Sequence, residues 1–105
     1  MVDRNIIDIL KKYIAILNAE GLQVHKAYLF GSYSTDAASK TSDIDVMIVS
    51  DKFDENDDQA FGKAWYLTKK VNTKIEPLLI GLKRFNQDDS SPIIHHIKKE
   101  GIEIS

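Results

Sequence analysis

Apolar positions in the first twenty residues recur at a helical period. Ile6, Ile7, Leu10, Tyr13, Ile14 and Leu17 share one face of an amphipathic helix over residues 3–20. Asp3 is placed to cap its start and Gly21 to stop it. His25 to Phe30 then reads as a strand ending in a turn at Gly31. Ser32 to Ala38 reads as a short helix whose N-terminus faces that turn. Asp43 to Val49 is the next strand, and its VMIV tail is continuously apolar, as in a strand covered on both faces. Residues 54–71 read as a second long helix, with Ala60, Phe61, Ala64, Trp65, Thr68 and Val71 as the inner stripe. Lys74 to Ile80 is a third strand, and Pro77 within it removes a ladder donor, which suits an edge. Residues 81–89 read as a polar loop. Ser91 and Pro92 open a final helix as cap and first-turn residue; Gly101 ends it, and the IEI tail adds a short strand. Helices alternating with strands predict an α/β (α+β) domain, a small mixed sheet flanked by helices, over residues 1–105.

Composition narrows the function without naming it. With 105 residues, the chain can bury one core. There is no cysteine, so neither a disulfide framework nor a cysteine zinc site is available. The start MVDRNIIDIL carries an early acid and no long apolar run, so no signal peptide is expected. No stretch reaches the ~20 apolar residues of a membrane helix. Together these point to a cytoplasmic protein. The formal net charge of -2 argues against a large nucleic-acid partner, which basic surfaces normally grip.

The chemistry concentrates in GSYSTDAASKTSDIDVMIV, residues 31–49. Asp43 and Asp45 are two apart at the mouth of an apolar strand, so their side chains leave on one face, their Cα atoms ~7 Å apart. Two carboxylates at about 6 Å repel by roughly 3 kcal/mol at an effective dielectric near 20. A divalent cation would offset that repulsion, and hard oxygen ligands suit Mg²⁺ or Mn²⁺. Upstream, Gly31-Ser32 follows a strand. Glycine allows close backbone approach to a phosphate, and a following helix would turn its N–H groups toward it. Alone, this is equally an ordinary serine-capped turn, and an isolated Asp-x-Asp is equally a turn acid beside a solvent-facing one. Glu76, in KIEPLLI, is an acid in an apolar strand. It either faces solvent, pairs with Lys74, or forms a third carboxylate of the same site.

With those residues in view, the chain resembles the minimal nucleotidyltransferase branch of the polymerase-beta-like superfamily. The likeness rests on Gly-Ser, a spacer, Asp-x-Asp, and the third acid in KIEP, with IKKEGIEIS as closing helix and tail. It implies the nucleotidyltransferase fold. Gly31, Ser32 and Ser42 would bind nucleotide, and Asp43, Asp45 and Glu76 would hold two Mg²⁺ ions (or Mn²⁺) and carry catalysis. The implied reaction moves a nucleoside monophosphate, AMP from ATP, to a hydroxyl acceptor with release of pyrophosphate. The chain departs from the branch at Thr35 and Asp36, where relatives carry Arg and Gly; losing a cation there should weaken triphosphate binding. Small members resemble antitoxins encoded with HEPN-type ribonuclease toxins, so the implied acceptor lies on a HEPN-type partner protein. A binding module that neutralises its partner by contact is the competing reading. Transfer to an aminoglycoside fits less well, because those enzymes carry a second domain for the drug.

Other signals carry less. DKFDENDD (residues 51–58) lacks the glycine and ligand positions of a calcium loop and reads as a solvated helix start. His95 and His96 lie ~100° apart on a helix, a poor metal pair, so one is expected to pack and one to face water. Trp65 and Tyr66 are expected in the core and at its edge.

Overall fold

The computed structural model describes residues 3–34, 42–55, 58–87 and 91–104. Helix α1 spans Arg4–Ala19 and strand β1 spans Lys26–Phe30. A 3-10 turn over Gly31–Ser34 follows. Strand β2 is Ile44–Ser50, and a 3-10 turn at Asp51–Phe53 leads toward α2, Asp58–Thr68. Strand β3 is Ile75–Gly81, α3 is Leu82–Asn86, α4 is Pro92–Glu100 and β4 is Ile102–Glu103.

The strands form one mixed sheet in the order β3-β2-β1-β4. β1 runs antiparallel to β2 and β4, and β2 runs parallel to β3. The α+β architecture with a small mixed sheet is therefore as the helix–strand alternation predicts. β3 is an edge strand, as Pro77 required.

Strand alternation divides the interior in two. Ala27, Leu29, Ile44, Val46, Ile48 and Ile75 face α1 and α2. Tyr28, Met47, Val49 and Ile80 face the other way, onto Phe85 of α3 and Ile94 and Ile97 of α4. This explains the unbroken VMIV run: Val46, Met47, Ile48 and Val49 are all fully buried, two against each helical layer. The Tyr13 hydroxyl ties α1 to α2 by donating to the Ala64 carbonyl at 2.6 Å, and burial pushes its phenol pKa up.

α1 matches its pattern. Asp3 accepts from the Asn5 N–H at 2.8 Å, and Ile6, Leu10, Tyr13, Ile14 and Leu17 are buried. Elsewhere the structure corrects the sequence. The short helix after Ser32 is a 3-10 turn ending at Ser34; the rest of that segment, with Thr35 and Asp36, lies outside the described residues. α2 starts at Asp58 rather than 54, and Leu67 joins its inner face. Trp65 is 48 % exposed and Tyr66 59 %, so neither is core. Residues 82–86, expected as loop, form a helix because Phe85 packs under the sheet against Tyr28, ring centroids 6.0 Å apart. Ser91 sits at the N-cap of α4 without a side-chain capping bond.

Candidate active site

Three chain segments meet at one end of the sheet, where β1 finishes and β2 and β3 begin. Phe30 pairs with Asp45, and Asp45 pairs with Glu76, so the register lines up Phe30, Asp45 and Glu76 across three adjacent strands, with Gly31 following Phe30 directly. Asp45 and Glu76 point to the face that α4 covers further along, as do Met47 and Leu78. Asp43 precedes β2 by one residue and rejoins the same face. The Glu76 and Asp43 carboxyl groups lie close enough to share a hydrogen bond. Its pKa is raised, first by the Asp43 charge, then by partial desolvation, that hydrogen bond and the Asp45 charge. Asp45 is raised too, by burial first and by Asp43 second.

Glu76 holds its place through the turn before β3. The Lys74 N–H donates to Asn72 Oδ1 at 2.8 Å, and the Ile44 N–H donates to the Lys74 carbonyl at 2.8 Å, pinning the β2 and β3 starts together. Gly31 has φ 73°, the left-handed region. A Cβ there would overlap the Asp45 Oδ2 and come 3.2 Å from its Cγ. Glycine is thus required twice over, for the backbone and for the room Asp45 occupies. Ser34 Oγ donates back to the Gly31 carbonyl at 2.8 Å and closes the turn. Ser32 lies within the turn and Ser42 precedes β2 by two residues; both are half-buried.

The structure brings together Gly31, Asp43, Asp45 and Glu76, as the motif spacing suggested. The carboxylates do not already encircle an ion: among the described residues, no three acids or histidines are grouped so as to hold a metal. The donor set nevertheless fits a hard divalent cation. Asp45 is raised by its burial and then by the Asp43 charge, and Glu76 first by that same charge, so the three carboxyl groups form a concentration of oxygen donors that a cation would offset.

Two cavities flank the acids. One, of 240 Å³, lies between Gly31, Ser32 and Ser34 on one side and His96, Ile97 and Glu100 of α4 on the other. The expectation for the histidine pair fails here: both are exposed, because Ile94 and Ile97 take the buried positions of α4. His96 reaches this cavity through the fold alone, and no motif pointed to it. The second cavity, of 380 Å³, runs from Glu76 past Ile75 to Trp65, Tyr66 and Lys69 at the end of α2. Exposure of two aromatics beside an acid was equally invisible to helical periodicity, which placed Trp65 on the inner stripe.

The sequence profile described as polymerase beta, nucleotidyltransferase matches residues 4–105. The chain belongs to this nucleotidyltransferase family. Its fold is similar to a crystal structure of a Sulfolobus solfataricus protein provisionally assigned as a nucleotidyltransferase. That pair superposes with TM-score 0.59 at 15 % identity, covering 79 % of this chain and 73 % of the other. It is also similar to a chain from a crystal structure of a toxin-antitoxin with AMP-PNP, with TM-score 0.61 at 21 % identity over 94 % of this chain and 72 % of that one. No curated protein matches the chain in sequence. Among the described residues, no helix of this family member is long and apolar enough to cross a membrane.

Proposed function

We propose that this nucleotidyltransferase-family chain is an active, metal-dependent enzyme that transfers AMP from ATP to a hydroxyl on a partner protein in the cytoplasm. The observation that carries the reading is the convergence of Asp43, Asp45 and Glu76 on one sheet face beside the left-handed Gly31. A copy kept only for contact has no need of three mutually repelling acids at one end of the sheet.

Asp43, Asp45 and Glu76 would hold two Mg²⁺ ions, which when bound neutralise the triphosphate and lower the acceptor hydroxyl's pKa. The protein's own contributions follow from the geometry. The Gly31–Ser34 turn offers backbone N–H groups and the Ser32 hydroxyl to the β- and γ-phosphates, with Ser42 two residues ahead of β2. His96, across the 240 Å³ cavity, is placed to add a donor to the same phosphates. Glu76, at the opposite end of the row, lines the cavity beside β3 and would accept the proton of a hydroxyl arriving there. The acceptor oxygen bonds to the α-phosphorus, the bond to the bridging oxygen breaks, and pyrophosphate leaves toward Gly31 and Ser32.

The fold likeness to a chain of a toxin-antitoxin structure supports a protein as acceptor, and we propose a HEPN-type partner. The test uses ATP labelled at the α-phosphate, Mg²⁺ and the product of the adjacent gene. Label on that partner with wild type, and none with Asp43→Asn plus Asp45→Asn, is the expected result. Tight binding of the partner without any label would favour neutralisation by contact instead.

A further inference from the structure

We propose that the cavity beside Glu76 docks the acceptor: an acidic segment of a partner protein that inserts its hydroxyl side chain between Trp65 and Glu76. This rests on the transferase reading above and adds which surface the acceptor uses and what chemistry it carries. Phosphoryl transfer runs in line, so attacker and leaving group sit on opposite sides of the α-phosphorus. Neighbouring strands lie ~4.8 Å apart, so the row from Phe30 through Asp45 to Glu76 spans about 10 Å. Pyrophosphate leaves at the β1 end, over Gly31 and Ser32. The attacker therefore arrives past β3, the side on which the 380 Å³ cavity opens.

Trp65 and Tyr66 are 48 % and 59 % exposed on a helix whose other large apolar residues are covered. Exposed aromatics beside a concave site are the usual anchors of protein contacts. Ile75, Thr68 and Thr73 complete a wall that is apolar with hydroxyls at its margin, and Glu76 closes one end. Lys69 stands at the rim, and Lys70 lies over the Tyr66 ring at 6.0 Å from its centroid. Lys69 in the lining and Lys70 beside Tyr66, against the one lining carboxylate of Glu76, favour a segment with acids next to its hydroxyl. The competing occupant is the nucleobase of ATP, which also stacks on aromatics.

Trp65 is the chain's single tryptophan, so its emission reports directly on this cavity. The full chain is titrated with Mg-ATP, with Mg-tripolyphosphate, and with short peptides carrying a leucine-serine pair flanked by glutamates or by lysines. The glutamate peptide is expected to shift the emission and Mg-ATP to leave it nearly unchanged. In transfer assays, Trp65→Ala and Lys69→Glu are each expected to raise the KM for the protein acceptor about tenfold, with KM for ATP unchanged. Trp65→Phe should restore most of the loss, which separates docking from misfolding. Strong quenching by Mg-ATP but not by tripolyphosphate would place the base in the cavity and overturn the proposal. So would equal or better binding of the lysine peptide, or no response to either peptide. If calorimetry shows no ATP binding at all, the transferase reading falls, while the peptide titration still decides whether this surface docks an acidic segment.

Discussion

Gly31 offers the sharpest test of the site, because Gly21 supplies its control. Both have positive φ, 73° and 89°. An alanine in the left-handed region costs about 1–2 kcal/mol, offset by about 0.4–1 kcal/mol from the stiffer unfolded chain. Each single Gly→Ala change should therefore cost about 1 kcal/mol and lower Tm by roughly 4–8 °C. The two positions differ in what surrounds them. A Cβ on Gly21 meets nothing within 4 Å, whereas one on Gly31 overlaps Asp45 Oδ2 and presses its Cγ at 3.2 Å. Asp45 can escape only by turning its carboxylate out of the row shared with Glu76. Mn²⁺ affinity, read from the free-ion paramagnetic resonance signal, should then fall at least tenfold in Gly31→Ala and stay at the wild-type value in Gly21→Ala. AMP transfer should follow the same split. Wild-type Mn²⁺ affinity in Gly31→Ala, or a comparable loss in Gly21→Ala, would refute the argument that Gly31 exists to make room for a ligand.

Further outcomes follow from the same structure. Because the folded-state pKa values of Asp45 and Glu76 are raised, the folded protein binds more protons than the unfolded chain between their ordinary values of 3.8 and 4.5 and their raised ones. Their contribution to stability therefore falls as pH rises through that window. Asp43→Asn should flatten the trend and raise the metal-free Tm at neutral pH, and Mn²⁺ should raise the wild-type Tm more than the variant's; thermal melts across pH with and without Mn²⁺ check both. Tyr13→Phe removes the buried hydrogen bond to Ala64 and should cost about 1 kcal/mol, read by urea unfolding with an unchanged m-value. Leu10→Ala, fully buried under α1, should cost about 2–5 kcal/mol in the same assay. Glu103→Gln breaks an exposed pair with Lys26 at 2.8 Å and should leave the urea midpoint nearly unchanged.

Some of this protein was decided within short stretches of chain. The face of α1, the doubly covered VMIV strand and the shared face of Asp43 and Asp45 all depend on spacing between near neighbours, and local periodicity encodes them. Gly31-Ser32 followed by Asp-x-Asp is equally local, so these candidates can be named from the sequence, whereas Glu76 admits three readings there. The rest depends on residues far apart in sequence. The contact between Glu76 and Asp43 exists because β3 enters parallel to β2 in a register that places Glu76 opposite Asp45, after an intervening helix. Residues 82–86 are polar by composition yet helical, since Phe85 finds Tyr28 across the fold. Trp65 fits the helical stripe by spacing but lines the cavity beside Ile75 and Glu76, 48 % exposed. His96 comes to the Gly31 turn only because Ile94 and Ile97 orient α4 on the sheet. Periodicity says which face of an element is apolar; only packing against distant partners decides how much of that face is covered and what meets at its ends.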